Sequence, residues 1–198
     1  MAIPQVSGPF EPNPAQQRLL DAAITCLGRY GYAKTTLDDI ARIAGCGRAT
    51  AYRYFPSKSE LIARAVESEI LLALTAIADR AAAAPDLETA LVTTVLGLSR
   101  ALDTPALRFV FANEPQLVLP EITFTGGDSL LATAATLLAP GVLPHLGNAT
   151  DAHRCAAWLA RIALVYMWAP DARTPMDDPA AVSAFVRSLI LPSFAKES

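Results

Sequence analysis

Residues 35–58 read TTLDDIARIAGCGRATAYRYFPSK, and the whole fold can be read outward from them. Thr36 followed three residues later by Asp39 has the form of a capping box, so a helix is expected to begin at Leu37. Leu37, Ile40, Ala41 and Ala44 recur at helical spacing and make its inward face. That helix is about two turns long, because Gly45 supplies the left-handed backbone that ends it. Gly47 stands where it can cap a second short helix, Arg48 to about Tyr54. Two short helices across a glycine turn form a helix-turn-helix.

The composition of the second helix indicates what it does. A helix that filled a core would carry an apolar stripe, whereas this one offers Arg48, Thr50, Tyr52, Arg53 and Tyr54 and has only Ala49 and Ala51 to bury. Arginine can give two hydrogen bonds to guanine in the major groove, threonine a methyl or a hydroxyl, and tyrosine hydroxyls reach phosphates. Ser57 with Glu60 forms a second capping box. It places the free amides of the next helix, and the Lys58 charge, where a phosphate can dock.

Charge follows the same division. The chain of 198 residues is −3 overall, yet residues 1–66 hold eight Lys/Arg against five acids, a balance of +3, and residues 67–198 hold eight against fourteen, a balance of −6. A basic module joined to an acidic remainder fits a protein that meets phosphate at one end. Helical period runs through almost every long segment, so the class is all-α: an N-terminal three-helix helix-turn-helix domain and a C-terminal helical bundle, about nine helices in all.

Elements on either side follow from their punctuation. Residues 1–14, with Pro4, Pro9, Pro12 and Pro14, read as a disordered arm that carries no Arg or Lys for a minor groove. Helix one starts near Ala15 and ends at Gly31, with Leu19, Leu20, Ala23, Ile24 and Leu27 on one face. A long helix runs from Lys58 to about Ala84, and Asp86 caps one that reaches Leu102. Thr104 and Pro105 open a helix through Asn113, before a loop-rich stretch marked by Pro115, Pro120 and Gly126-Gly127. Asp128 to Ala139 reads as a helix and Pro140 to Gly147 as a connector. Thr150 or Asp151 caps a helix to Trp168, and Asp178 with Pro179 opens the last, which carries Val182, Phe185, Val186, Leu189 and Ile190 on one face before Pro192.

From Arg18 to Glu67 the chain resembles the DNA-binding domain of the TetR (tetracycline-repressor) family of bacterial regulators. The likeness rests on RLLDAA, RYGYAKTTLDDIA, AG, GRAT, YRYFPSK and EL in order, about a quarter of the chain. It implies a homodimer that sets one short helix per subunit into the major groove of a double-stranded operator. It further implies a C-terminal domain, here 67–198, for a small-molecule effector and dimerisation, with 15–66 binding DNA. Carried over by position, Arg48, Ala49, Thr50 and Arg53 face bases, while Thr36, Tyr52, Tyr54 and Lys58 hold phosphates. Where the family has an aliphatic-serine pair this chain has Cys46-Gly47, and where it has a large aliphatic residue this chain has Ala51.

The resemblance and the scarcity of charge between Leu87 and Leu138 place an apolar ligand pocket at Leu98, Leu102, Phe109, Phe111, Phe124, Leu131, Trp158 and Ile162. The small-residue stripe Cys155, Ala156, Leu159 and Ala163, with Val182, Phe185, Val186 and Leu189, is expected to form a four-helix dimer interface.

Other functions are less favoured. Cys26, Cys46 and Cys155 are far apart and odd in number, which fits a reduced cytoplasm better than a disulfide framework. His145 and His153 have no cysteine or carboxylate cluster beside them, and no metal or other cofactor is expected. The first fourteen residues lack the charged and apolar regions of a secretory signal, and the apolar run from Trp158 to Pro170 is interrupted by Arg161, so no membrane span is expected. No nucleophile elbow or phosphate loop is present. A repressor is the leading reading; a helix-turn-helix acting through protein partners and a helical-bundle enzyme are the alternatives.

Overall fold

The computed structural model describes residues 11–102, 104–113 and 130–194, and at 102, 110–112, 167 and 168 it describes the backbone alone. The described residues are helical and contain no strand. In chain order the helices are α1 (Pro14–Lys34), α2 (Leu37–Ile43), α3 (Arg48–Tyr54), α4 (Lys58–Ala82), α5 (Leu87–Leu102), α6 (Pro105–Asn113), α7 (Leu130–Leu146), α8 (Ala149–Trp168) and α9 (Pro179–Phe185). A π-helical turn, Val186–Ile190, and a 3-10 turn, Leu191–Ser193, continue α9. Residues 11–70 and 104–113 form one compact unit, and 71–102 with 130–194 form a second. The pocket positions Phe111, Phe124 and Leu102, the arm through residue 10 and the glycine pair at 126–127 lie outside the described residues or side chains.

In the first unit α1 starts one residue before the expected Ala15, because Asn13 and Gln16 close a reciprocal capping box. Gly31 takes φ 75° and breaks the helix as expected, but one further turn follows, to Lys34. Leu19, Leu20, Leu27, Ile40, Phe55 and Leu61 are fully buried and tie α1 to α4 around one core. Helix α6 packs on α1 in the same unit, where a Cβ built at Gly31 would lie 2.3 Å from Phe109 Cζ. Phe109, one of the expected pocket positions, is half-buried and belongs to the N-terminal unit, whereas Leu98, Leu131, Trp158 and Ile162 belong to the second.

The second unit is a bundle in which α8 packs along α7 and α5, and α9 along α5. Helix α7 corrects the expected connector, because it runs unbroken through Pro140 and Pro144. Leu138, Val142 and Leu146 repeat every four residues and are buried, so the apolar face continues past both prolines and holds the turn in place. His145, expected outside any helix, lies within α7 and its Nε2 is 3.0 Å from the Ala81 carbonyl oxygen near the end of α4. The cap of α8 is Asn148, whose side chain accepts from the Asp151 amide at 2.8 Å, so the expected Thr150 or Asp151 already stands inside the first turn. Asp178 and Pro179 open α9 as expected. Glu88 of α5 then accepts from Arg187 Nε at 2.7 Å and from Ser183 Oγ at 3.3 Å.

Candidate nucleic-acid interface

The interface is built from a turn that only a few residue types can make. The Thr36 hydroxyl accepts from the Asp39 amide at 3.1 Å and starts α2. The same hydroxyl donates to the Asp39 carboxylate, which also accepts from Arg42, and these contacts hold the Asp39 carboxyl below its usual range. Ala44 caps the far end and Gly45, at φ 68°, redirects the chain. Gly47 caps α3 through its backbone alone: its carbonyl oxygen accepts from the Thr50 amide at 2.9 Å. Substituting glycine for a hydroxyl cap costs only a few tenths of a kcal/mol, which accounts for the departure at Cys46-Gly47.

Helix α3 is anchored at one point. Ala51 is its one buried residue, at 0% exposure, and Phe55 just beyond the helix is buried beside it in the core, with Tyr32, Cys46 and Tyr54 packed around. Arg48, Ala49, Tyr52 and Arg53 are exposed, and Thr50 and Tyr54 half-buried.

The cations on this surface are oriented. Arg48 Nη1 donates to Asp38 Oδ2 of α2 at 2.9 Å, and its guanidinium stands 5.3 Å from the Tyr52 ring centroid. Arg53 lies 5.0 Å from the Tyr54 centroid. Lys58, at the start of α4, donates from Nζ to the Tyr32 carbonyl oxygen at 2.9 Å and sits 4.2 Å from the Tyr32 ring centroid. The Ser57 hydroxyl accepts from the Glu60 amide at 3.1 Å, which supplies the expected cap. Thr36, Arg48, Ala49, Thr50, Tyr52, Arg53, Tyr54 and Lys58 therefore all lie in the α2–α4 region of one unit, although the Thr36 hydroxyl already donates its hydrogen bond to Asp39.

Sequence reasoning missed Asp38 and Tyr32. The Arg48 and Tyr52 spacing of four along one helix was a readable signal of their proximity. Asp38 and Arg48 are ten residues apart on different helices, and only the turn between them brings them together.

The other expected sites are distributed differently. Cys155, Ala156, Leu159, Ala163, Val182 and Val186 are buried within the chain's own bundle, because the small-residue stripe of α8 is filled by neighbouring helices. Phe185 is half-buried, its ring 5.8 Å from Tyr166 and edge-on to it. Leu189 is 63% exposed, and on α8 Trp158 and Val165 are 58% and 60% exposed. Of the pocket positions, Leu98 is buried and Leu131 and Ile162 are half-buried in the second unit, whereas Trp158 faces outward. Burial pushes the Cys155 thiol up to about 12, which keeps it protonated. Among the described residues no group of three or more His, Cys, Asp or Glu is placed to hold a metal, and no helix is long and apolar enough to cross a membrane.

Residues 19–65 match the model of the bacterial regulatory proteins of the tetR family. An uncharacterized HTH-type transcriptional regulator of Mycobacterium tuberculosis is 29% identical over 188 residues, 91% of this chain and 88% of its own length. The HTH-type transcriptional regulator BetI of Agrobacterium fabrum is 40% identical over 53 residues, 27% of this chain and 26% of BetI. Among solved structures the chain is similar to the TetR family repressor AlkX from a Dietzia species, with TM-score 0.69 and 22% identity over 95% of this chain and 97% of that one. It is also similar to the fatty acid degradation regulator FadR from Bacillus halodurans, with TM-score 0.62 and 18% identity over 91% and 98%. A helix-turn-helix domain carried on a helical body, matched along most of its length by such relatives, defines a DNA-binding transcriptional regulator. Residues 19–65 are a DNA-binding domain of the tetR family, and the chain is similar over most of its length to regulators that carry such a domain.

Proposed function

We propose that the protein is a cytoplasmic repressor whose homodimer binds a palindromic operator and is released or retained by a small apolar effector. The observation that carries this reading is helix α3, which exposes Arg48, Ala49, Tyr52 and Arg53 and commits only Ala51 to the core. In this reading Arg48, Ala49, Thr50 and Arg53 meet base edges, and Thr36, Tyr52, Tyr54 and Lys58 meet phosphates. Residues 15–66 form the DNA-binding domain and 67–198 the effector and dimerisation domain. The exposed apolar residues Trp158, Val165 and Leu189 support a second copy as the partner of the α8 and α9 surface. Leu98, Leu131 and Ile162 are the positions from which an effector site in the bundle is built. AlkX is implicated in biodegradation of n-alkanes and FadR in fatty acid degradation, which supports an apolar effector here. An effector coupling of about 1–3 kcal/mol changes operator affinity roughly 5- to 150-fold.

Selection of bound sequences from random duplex DNA tests the reading. A palindromic consensus with half-sites about one helical turn apart, roughly 34–36 Å, is the expected result. Failure to enrich any sequence rejects it in favour of a helix-turn-helix that meets protein partners or of an enzyme.

A further inference from the structure

We infer that Asp38 is a specificity-determining residue of this interface: it holds Arg48 to one base edge and penalises the approach of DNA by phosphate contacts alone. The inference rests on the DNA-binding reading above. It starts from an anomaly, a carboxylate on the surface that must meet a polyanion, in a module whose basic excess over residues 1–66 is only +3. The Asp38 side chain is 51% exposed and that of Arg48 68%, so neither is a buried structural group. Their contact is nonetheless short, 2.9 Å, and uses one oxygen and one terminal nitrogen.

A guanidinium has five N–H donors in a fixed fork. Asp38 takes one of them, and the group stands 5.3 Å from the Tyr52 ring centroid. Enough donors are left for the two parallel hydrogen bonds that guanine accepts at O6 and N7. Arg48 is the first residue of α3, where a long side chain would otherwise sample many rotamers. Restraint from α2 on one side and from the next turn of α3 on the other fixes its direction before DNA arrives. A phosphate approaching Arg48 meets the Asp38 charge beside it, whereas a neutral base edge does not. The carboxylate thus lowers affinity for DNA in general and raises the fraction of binding energy that depends on sequence.

The test compares the parent, D38N, D38E, R48A and the double variant D38N/R48A. Each is measured on the selected duplex, on its single-base variants and on a random-sequence duplex across a range of salt. The parent is expected to prefer guanine at one half-site position, and R48A to lose that preference. D38N is expected to bind random duplex more tightly, with a salt slope steeper by about one phosphate contact, and to lose about three- to tenfold of its discrimination at that guanine. D38E is expected to recover part of the discrimination. In the R48A background, D38N should leave base preferences unchanged. Parental discrimination by D38N, or an equal change with and without Arg48, overturns the inference while leaving the DNA reading intact. No consensus from the parent overturns both.

Discussion

Gly31 and Thr36 show how narrowly single positions set this interface. At Gly31 the backbone has φ 75°, and a Cβ would lie 2.3–2.9 Å from three atoms of the Phe109 ring, so G31A suffers both backbone strain and overpacking. We expect a loss of roughly 1–3 kcal/mol in urea unfolding, partly restored by F109L, which removes the ring. At Thr36 the loss of the cap in T36A is expected to lower stability by about 1 kcal/mol. The Asp39 carboxyl, bonded by Thr36 and Arg42, titrates below its unfolded value of about 3.9. A group depressed in this way stabilises the fold above the unfolded pKa, and the contribution disappears as pH falls through the folded pKa. The D39N variant should therefore be less stable than the parent at neutral pH, and the gap should close on acidification below about pH 4, as followed by circular dichroism.

Helix α7 carries its prediction at the scale of an element. Pro140 is exposed and removes a backbone donor from the helix interior. P140A is therefore expected to raise the thermal midpoint, with a gain of about 1 kcal/mol or more from restored helix propensity. Its neighbour Gly141 should respond in the opposite direction. A Cβ there would lie 2.8 Å from the Ala78 Cα and carbonyl oxygen, which are backbone atoms of α4 and cannot rotate away. G141A is expected to lower the same midpoint, and an unchanged value would show that α4 and α7 can separate freely. The helix-turn-helix elements were legible because each boundary is local: Thr36 and Asp39, Gly45, Gly47, and Ser57 with Glu60 act within four residues. The path of α7 was not, because the pull of Leu138, Val142 and Leu146 into the bundle is tertiary and outweighs two prolines.

At the scale of the whole molecule, the exposed apolar side chains set the expectation for assembly. Trp158 and Val165 stand seven residues apart on α8, two turns along one face, and Leu189 is exposed after α9. The W158D/V165D variant is expected to sediment as a monomer where the parent sediments as a dimer, and to lose operator affinity because each half-site is then bound alone. A parental sedimentation coefficient for that variant would remove this surface from the interface.

Sequence alone sufficed for the all-helical class, the helix-turn-helix, its capping residues and the polar character of α3, since all of these depend on spacing within one or two turns. Tertiary structure decided which apolar stripe is covered: Cys155, Ala156 and Leu159 turn into the chain's own bundle and leave Trp158 and Val165 outside. It also decided that Phe109 packs on Gly31 and that Arg48 is held by Asp38. Helical period shows that a face is apolar, but what covers that face, and which charges meet across a turn, depend on the packing and angles between helices.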